Sequence, residues 1–600
     1  MEYIAQTIFL FAVLFVYLLS GSVVYSFVGE GYKATPLRCF AVGVGLWVLL
    51  VVLSTVFMPV NLLTLWWVYV GLTAFFLFTL PKSDQKETLS GAFFGQVAAS
   101  FAILLPVFYF LENDQMHLWQ EFAIYAKATY SIAQAQAINT DLLSLPLAYQ
   151  LAIVPVAFLT KIQDSIFACF NFAILAFVAC EFVRNSGVKI VKNNIAFPLV
   201  VAFTLLFFLN PFAEHYLAMS ADPFIFIAAI GFAFSEYIFR TGHLPKNIAA
   251  LPPAIILALL VFSSTQGLLL GFSLFVTLTI RYLMQAGRLN HKQALGYFLM
   301  PMLAVLFALI WQHYLATRGL GYLIFDIEKL NQESLVLVYN AITILFKKHV
   351  LEAGILGVIL LLGLYSFKNF KTSDDLIVDK LLLKPVFWIS VVYLFVCLPM
   401  FFAQYDYIAR ASYSLGFTSV ALLQFIILMP IGRILKEKLD HLDIHIGGMF
   451  KLTIIVALVV LMVMNRNIFM QKQNYRIYNI EQISQIIENS LPKGSKVAVV
   501  DMKKTSKFYT SVLDYKNHTI DYVAINLDDL PKGIKSTYKE FQNYNIDYVL
   551  LHAPNNLLVK NFEHNLDPKF TYLYKIEKEG FVLVKKFDNK LYKDTNIIIK

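Results

Sequence analysis

Residues 35–59 read TPLRCFAVGVGLWVLLVVLSTVFMP. Beyond Arg38 the stretch carries no charge, and it exceeds the roughly 20 apolar residues that a helix needs to cross a bilayer. Runs of the same kind flank it at 5–28 and 62–80. Others follow at 90–111, 163–183, 195–213, 222–239, 248–264, 266–285, 294–315, 350–367, 385–403, 413–432 and 449–466. The expected fold class is a polytopic α-helical membrane protein of about 14 spans. Nothing like the basic n-region of a signal peptide precedes the first run, so it reads as a retained span.

Composition agrees. Hydrophobic types make up 58% of the 600 residues and charged types 14%, against about 25% charged in an ordinary soluble domain. So few charges cannot cover the apolar surface of a soluble fold, which excludes a soluble enzyme and a disordered chain. The net charge of +9 reflects the Lys/Arg enrichment of cytoplasmic loops and does not call for a nucleic-acid partner. Cys39, Cys169, Cys180 and Cys397 lie in apolar runs without metal-ligand spacing, and read as small hydrophobes.

The basic residues set the topology. Lys33 and Arg38 flank one loop, and Lys82 and Lys86 another. Arg184, Lys189 and Lys192 follow, then Arg240 and Lys246, Arg281, Arg288 and Lys292, Lys368 to Lys384, and Arg433, Lys436 and Lys438. All of these groups fall on one side if the apolar run 142–160 does not span. That run is therefore expected to be a membrane-surface or re-entrant segment, with both termini outside. Glu181 and Glu236 are expected near cytoplasmic span ends, within reach of water.

Composition shifts near residue 467. From there to 600 the chain is polar, with a helical pattern at 471–490 and 534–545. Val497–Asp501, Tyr522–Ile525 and Ile546–Leu551 read as buried strands. Phe570–Ile576 and Phe581–Phe587 flank Glu577-Lys578-Glu579-Gly580 as a hairpin. The expected organisation is N-terminal spans over 1–89, a membrane catalytic domain over 90–466, and a small α/β domain outside the membrane over 467–600. No GxGxxG or P-loop occurs in that last domain.

Four outside regions have room for chemistry. In 112–162, Asp114 stands just past a span, and Met116, Trp119, Phe122, Ala123 and Ala126 recur at helical spacing. Residues 115–130 therefore suggest an amphipathic interfacial helix with Asp114 near its N-terminus, either as a cap or as a functional carboxylate. The loop 214–223 holds Glu214, His215 and Asp222. Ser220-Ala221-Asp222-Pro223 is also a good helix start, so Asp222 can cap, and Glu214 and His215 can be solvated loop residues. In Gln404–Tyr413, Arg410 can hold a phosphate bidentately or anchor a span at the interface. The loop 316–349 suggests an interfacial helix, as a lid or a connector. Ionisable residues deep in the spans are scarce, which counts against transport.

This layout resembles the GT-C superfamily of integral-membrane glycosyltransferases, in particular bacterial protein O-mannosyltransferase-like and aminoarabinose-transferase-like enzymes. The resemblance rests on Asp114 opening the first large outside loop, with His117, Trp119 and Lys127 after it. It also rests on Asp141-Leu142-Leu143-Ser144-Leu145-Pro146-Leu147 and on the turn Ala221-Asp222-Pro223. Three positions depart from the pattern: Gln115 replaces a second acid, Pro146 is single, and Thr265-Gln266-Gly267 lacks a basic residue before its glycine.

The resemblance implies transfer of a sugar from a polyprenyl-phosphate-linked donor to a hydroxyl of a glycan, lipid or protein acceptor at the outer face of the cytoplasmic membrane. Asp114 would be the catalytic base. Asp222, Glu214, His215, His117, Trp119 and Arg410 would bind substrate, with no dedicated metal site and an optional divalent cation, magnesium or manganese. The rival classes are an O-antigen polymerase or ligase, a lipid or solute transporter, and an envelope scaffold. A polymerase or ligase usually has a large outside loop rich in Arg and His, and 316–349 is poor in both.

Overall fold

The computed structural model describes residues 2–28, 34–79, 93–102, 120–138, 147–159, 165–185, 198–202, 223–239, 247–285, 291–318, 447–450, 479–501, 519–526, 533–551, 570–577 and 580–588, with a few single positions between them. The chain divides into a helical unit, Met1–Phe110, Thr129–Leu217 and Asp222–Val463, and a second unit, Leu111–Ala128, Ala218–Ala221 and Met464–Lys600, that carries a five-stranded sheet.

The helical unit contains α1 (Glu2–Val28), α2 (Pro36–Phe57), α3 (Leu62–Thr79), the part of α4 (Gln120–Ala135) from Thr129 onward, α5 (Ala148–Leu159), α6 (Ser165–Asn185), α7 (Phe224–Phe239), α8 (Leu251–Ser263), α9 (Thr265–Gln285) and α10 (His291–Thr317). Among the described residues, four helical stretches are long and apolar enough to cross a membrane: Thr7–Val28, Pro36–Phe57, Leu62–Thr79 and Leu299–Thr317. Their outward faces are apolar, with Ile8 and Phe75 each 60% exposed and Phe78 90%, as contact with lipid requires. Shorter apolar helices include Phe93–Ala102, Ile225–Ser235 and Leu251–Ser263. The expected spans 350–367, 385–403 and 413–432, and most of 449–466, lie outside the described residues, as does Lys161.

Helices α1 and α2 form an antiparallel pair at close range. A Cβ on Gly21 would lie 1.9 Å from the Cys39 carbonyl oxygen, and one on Gly43 2.0 Å from that of Tyr17. Only glycine permits this approach, which brings the two backbones into dispersion contact. Helix α2 begins at Thr35, whose hydroxyl accepts the Arg38 N–H, with Pro36 in the first turn.

The described part of 142–160, a segment expected on the membrane surface or re-entrant, is buried among other helices and not on a surface. That part is α5, whose Ala148, Tyr149, Gln150, Leu151, Ala152, Ile153, Val154 and Val156 are all 0% exposed. At 12 residues it is about 18 Å long, too short to span, and it packs against α1, α2, α3 and α8. Pro155 lies inside it. Proline has no N–H, so the Leu151 carbonyl four residues earlier loses its helical donor. The Trp47 indole N–H supplies the missing bond at 2.8 Å, and the Tyr17 hydroxyl donates to the Ala152 carbonyl at 3.0 Å. Around these donors, Tyr17, Trp47, Trp66 and Tyr69 form an aromatic cluster with ring centroids 5.2–6.4 Å apart. The Tyr69 hydroxyl donates to the Gly43 carbonyl at 2.8 Å and is also hydrogen-bonded to Ser20.

In the second unit, α11 (Asn479–Ser490) precedes β1 (Lys496–Asp501), β2 (Asp521–Asn526), α12 (Ile534–Asn543), β3 (Tyr548–Leu551), β4 (Phe570–Glu577) and β5 (Gly580–Asp588). The strand order is β2-β1-β3-β4-β5. β1 is parallel to β2 and β3, and β3–β4 and β4–β5 are antiparallel. Val497, Ala498, Val499 and Val500 are 0% exposed, so both faces of the central strand are covered, as its unbroken apolar run requires. Ala498, Val500, Val549 and Leu551 join Phe541 of α12 in one core. β2 is less buried than its sequence suggests: it is an edge strand, and of Tyr522–Ile525 only Tyr522 is buried. The β4–β5 hairpin closes with Glu577 paired to Gly580. Its register passes from Leu573–Lys585 to Tyr574–Leu583, which leaves Val584 as a bulge.

The bonds at α5 give a test. Trp47→Phe is expected to destabilise the protein by about 1–2 kcal/mol, because it strands a buried carbonyl. In a Pro155→Ala background the restored N–H can serve Leu151, so the same change should cost less. Thermal unfolding of the four proteins in one detergent measures this, and equal costs in both backgrounds would refute the assignment.

Candidate functional site

Asp114, His117, Trp119, Glu214, His215, Asp222 and Arg410 all lie outside the described residues. The structure does fix the elements next to two of the motifs. Helix α4 is described over Gln120–Ala135, and the expected start at 115 lies outside the described residues. Its end is locked: Gln136 adopts φ 49° and its carbonyl accepts the Leu62 N–H at 2.9 Å. Asn61 Nδ2 donates to Gln136 Oε1 at 2.6 Å, and Asn61 Oδ1 accepts the Leu63 N–H at 2.9 Å. The joint pins the C-terminus of α4 to the start of α3. After the Ala221-Asp222-Pro223 turn, the Pro223 carbonyl accepts the Ile227 N–H at 2.8 Å and α7 begins at Phe224.

Gly267, at a departure from the family pattern, has a packing reason of its own. A Cβ there would lie 2.2 Å from the Leu260 carbonyl oxygen. Ser264 is extended and its hydroxyl accepts the Gly267 N–H at 3.0 Å, which caps α9 where it turns away from α8.

What the described residues bring together is a polar cluster at the opposite end of α2 from Asn61. Arg38 is 1% exposed and Glu181 also 1%. The sequence places Glu181 within reach of water, which its burial corrects; Arg38, read as flanking a loop, stands in the first turn of α2 with its side chain buried. Thr35 and Pro36 start α2 early enough to carry Arg38 inside, and α6 is enclosed by α1, α2 and α7. The Arg38 guanidinium lies 5.8 Å from the centre of the Tyr237 ring, and the Tyr237 hydroxyl bonds that of Tyr25 at 2.7 Å. Arg184 donates to the Ala34 carbonyl at 3.2 Å. Both Glu181 carboxylate oxygens are buried without a hydrogen bond. Cys39 lies in the field of Arg38, Glu181 and Arg184 together. The ends of α1, α6 and α7 and the start of α2 therefore meet at one end of the bundle.

This cluster was missed in sequence because Arg38 was counted as flanking a loop and Glu181 as a span-end residue in reach of water. The signal was there: Arg38 stands within the first turn after a Thr-Pro helix start, and Glu181 stands inside an apolar run. Among the described residues no group of three or more His, Cys, Asp or Glu comes together as a metal site would need. No protein-family model matches the chain, and no curated protein matches it.

A double-mutant cycle on Arg38→Leu and Glu181→Leu tests the cluster. Each single change leaves the opposite buried charge uncompensated, so the double variant should be more stable than the sum of the single losses predicts. The expected coupling is about 1–3 kcal/mol. Additive melting shifts would show that the two charges do not communicate.

Proposed function

We propose that the protein is a membrane glycosyltransferase of GT-C type, which moves a sugar from a polyprenyl-phosphate carrier to a hydroxyl at the outer face of the cytoplasmic membrane, in assembly of envelope glycan, lipid or glycoprotein. The observation that carries this reading is the order of its motifs: Asp114 and Trp119, then Asp141–Leu147 with Pro146, then Ala221-Asp222-Pro223, each between apolar runs. The helices described over Gln120–Ala135 and Phe224–Phe239 support it, because they follow the first and last of these motifs in sequence.

In this mechanism the Asp114 carboxylate takes the proton of the acceptor hydroxyl as the acceptor oxygen bonds the anomeric carbon. The bond from that carbon to the lipid phosphate breaks, and its electron pair leaves with the phosphate. Arg410 stabilises the negative charge that develops there. Glu214, Asp222, His215, His117 and Trp119 orient the sugar and the acceptor. One base acting on an activated donor gives inversion at the anomeric carbon. Glu214 and Asp222 have the oxygen ligands that a magnesium or manganese ion prefers, and no step above depends on that ion.

Mass spectrometry of envelope glycolipids, glycans and glycoproteins is the test, in a deletion strain and in that strain complemented with wild type or Asp114→Asn. One glycoform should vanish on deletion, return with wild type and stay absent with the variant at equal expression. Restoration by Asp114→Asn would remove Asp114 as the base, and an unchanged glycome would remove the reading. In vitro, Arg410→Ala should raise KM for the lipid donor more than for the acceptor. The opposite split would exclude a phosphate contact.

A further inference from the structure

We infer that the end of α10 binds the phosphate of an anionic glycerophospholipid, held by the edge of the Arg318 guanidinium. The inference does not rest on glycosyl transfer. Trp311, Tyr314 and Arg318 follow one another at intervals of three and four residues, the spacing that makes side chains neighbours along a helix.

The three side chains form a column. Trp311 is 4% exposed and meets the Phe262 ring of α8 edge-on, with ring centroids 6.4 Å apart. Tyr314 stacks on Trp311 at 5.5 Å, with 29° between the ring planes. The Arg318 guanidinium carbon lies 4.8 Å from the centre of the Tyr314 ring. The backbone beneath is fixed as well. The Arg318 N–H donates to the Leu315 carbonyl at 3.0 Å, and the Thr317 hydroxyl donates to the Tyr314 carbonyl at 2.7 Å. A cation is thus positioned from a buried ring outward.

Its depth and chemistry point to the ligand. The apolar stretch Leu299–Thr317 has 19 residues, about 28 Å of helix, close to the thickness of a bilayer's hydrocarbon core. Arg318 directly follows its last residue and is exposed, which sets it at the level of lipid phosphates. Stacking uses the face of the guanidinium and leaves the N–H donors on its edge, in the fork that matches two phosphate oxygens. Among the described residues no carboxylate forms an ion pair with Arg318. One negative charge therefore complements it, and the ammonium of a zwitterionic headgroup meets no partner among them. On the same helix Met302, Val305, Leu306 and Leu309 are 49–62% exposed, an apolar surface for acyl chains. An arginine that only anchors a span needs no such column, and lysine serves that purpose equally well.

Full-length protein in neutral detergent is titrated with phosphatidylglycerol, phosphatidylcholine and glycerol 3-phosphate, and the first molecule bound is quantified by native mass spectrometry. Phosphatidylglycerol should bind at least about tenfold more tightly than either of the others, the factor carried by one charge-assisted hydrogen bond. Arg318→Gln should weaken phosphatidylglycerol by a similar factor. Arg318→Lys, which keeps the charge and loses the fork, should weaken it by a smaller one. Tyr314→Leu, which keeps Arg318 and removes the ring beneath it, should fall between wild type and Arg318→Gln. The inference is overturned if wild type does not prefer phosphatidylglycerol to phosphatidylcholine, if glycerol 3-phosphate binds as tightly as the lipid, or if any of the three variants binds phosphatidylglycerol as wild type does. A wild-type melting profile for each variant shows that the loss is local.

Discussion

A carbonyl without a helical donor, deep in an apolar bundle, is the constraint on which the helical unit depends. Pro155 creates it at Leu151. In an apolar interior that group has no water to turn to, so leaving it unmade is costly. Trp47, near the middle of α2, and Tyr17, near the middle of α1, bring donors to two successive carbonyls of α5. Two long helices therefore have to face one short helix at a fixed height. The glycine contact between α1 and α2 sets their spacing so that both donors reach. The aromatic rings around them exclude competing polar groups.

The far end of the same bundle follows a different rule. There the interior holds charge, and burial is tolerated because opposite signs and an aromatic face lie close together. Arg38, Glu181 and Arg184 hold the ends of four helices in one field, although no hydrogen bond reaches the Glu181 carboxylate. Apolar residues of similar size would pack here with less desolvation. A charge cluster kept in such a place specifies which helix ends meet.

Much of the architecture was legible because one physical signal dominated each part. Unbroken apolar length marked α1, α2, α3 and the long end of α10. An apolar run bounded by turn residues marked β1 and β3, and Gly580 after two charged residues marked the β4–β5 turn. Segment 142–160 was harder, because apolar length cannot distinguish a helix on a surface from one buried among others. Pro155 was the clue, since a break in the backbone ladder demands neighbours with donors. Arg38 and Glu181 failed for a related reason: charge counting assigns a residue to a side of the membrane, and burial depends on which helices close around it. Asp114, Asp222 and Arg410 stand as sequence readings, and the geometry that bears on them is that of α4 and α7 beside them.

The bulge at Val584 has a consequence for handling the protein. β5 is an outer strand, and Val582, Leu583 and Val584 are 46%, 47% and 44% exposed in succession. An uncovered strand of this composition is a template for stacking with copies of itself. The bulge breaks the flat repeat that stacking needs, and Lys585 and Lys586 put like charges on any copy laid alongside. Lys586 is held in place over the Phe570 ring at 3.6 Å. The solubility of the sheet unit therefore rests on a small irregular patch, and charge-neutralising modification of those two lysines would turn a shielded border into a nucleus for fibres.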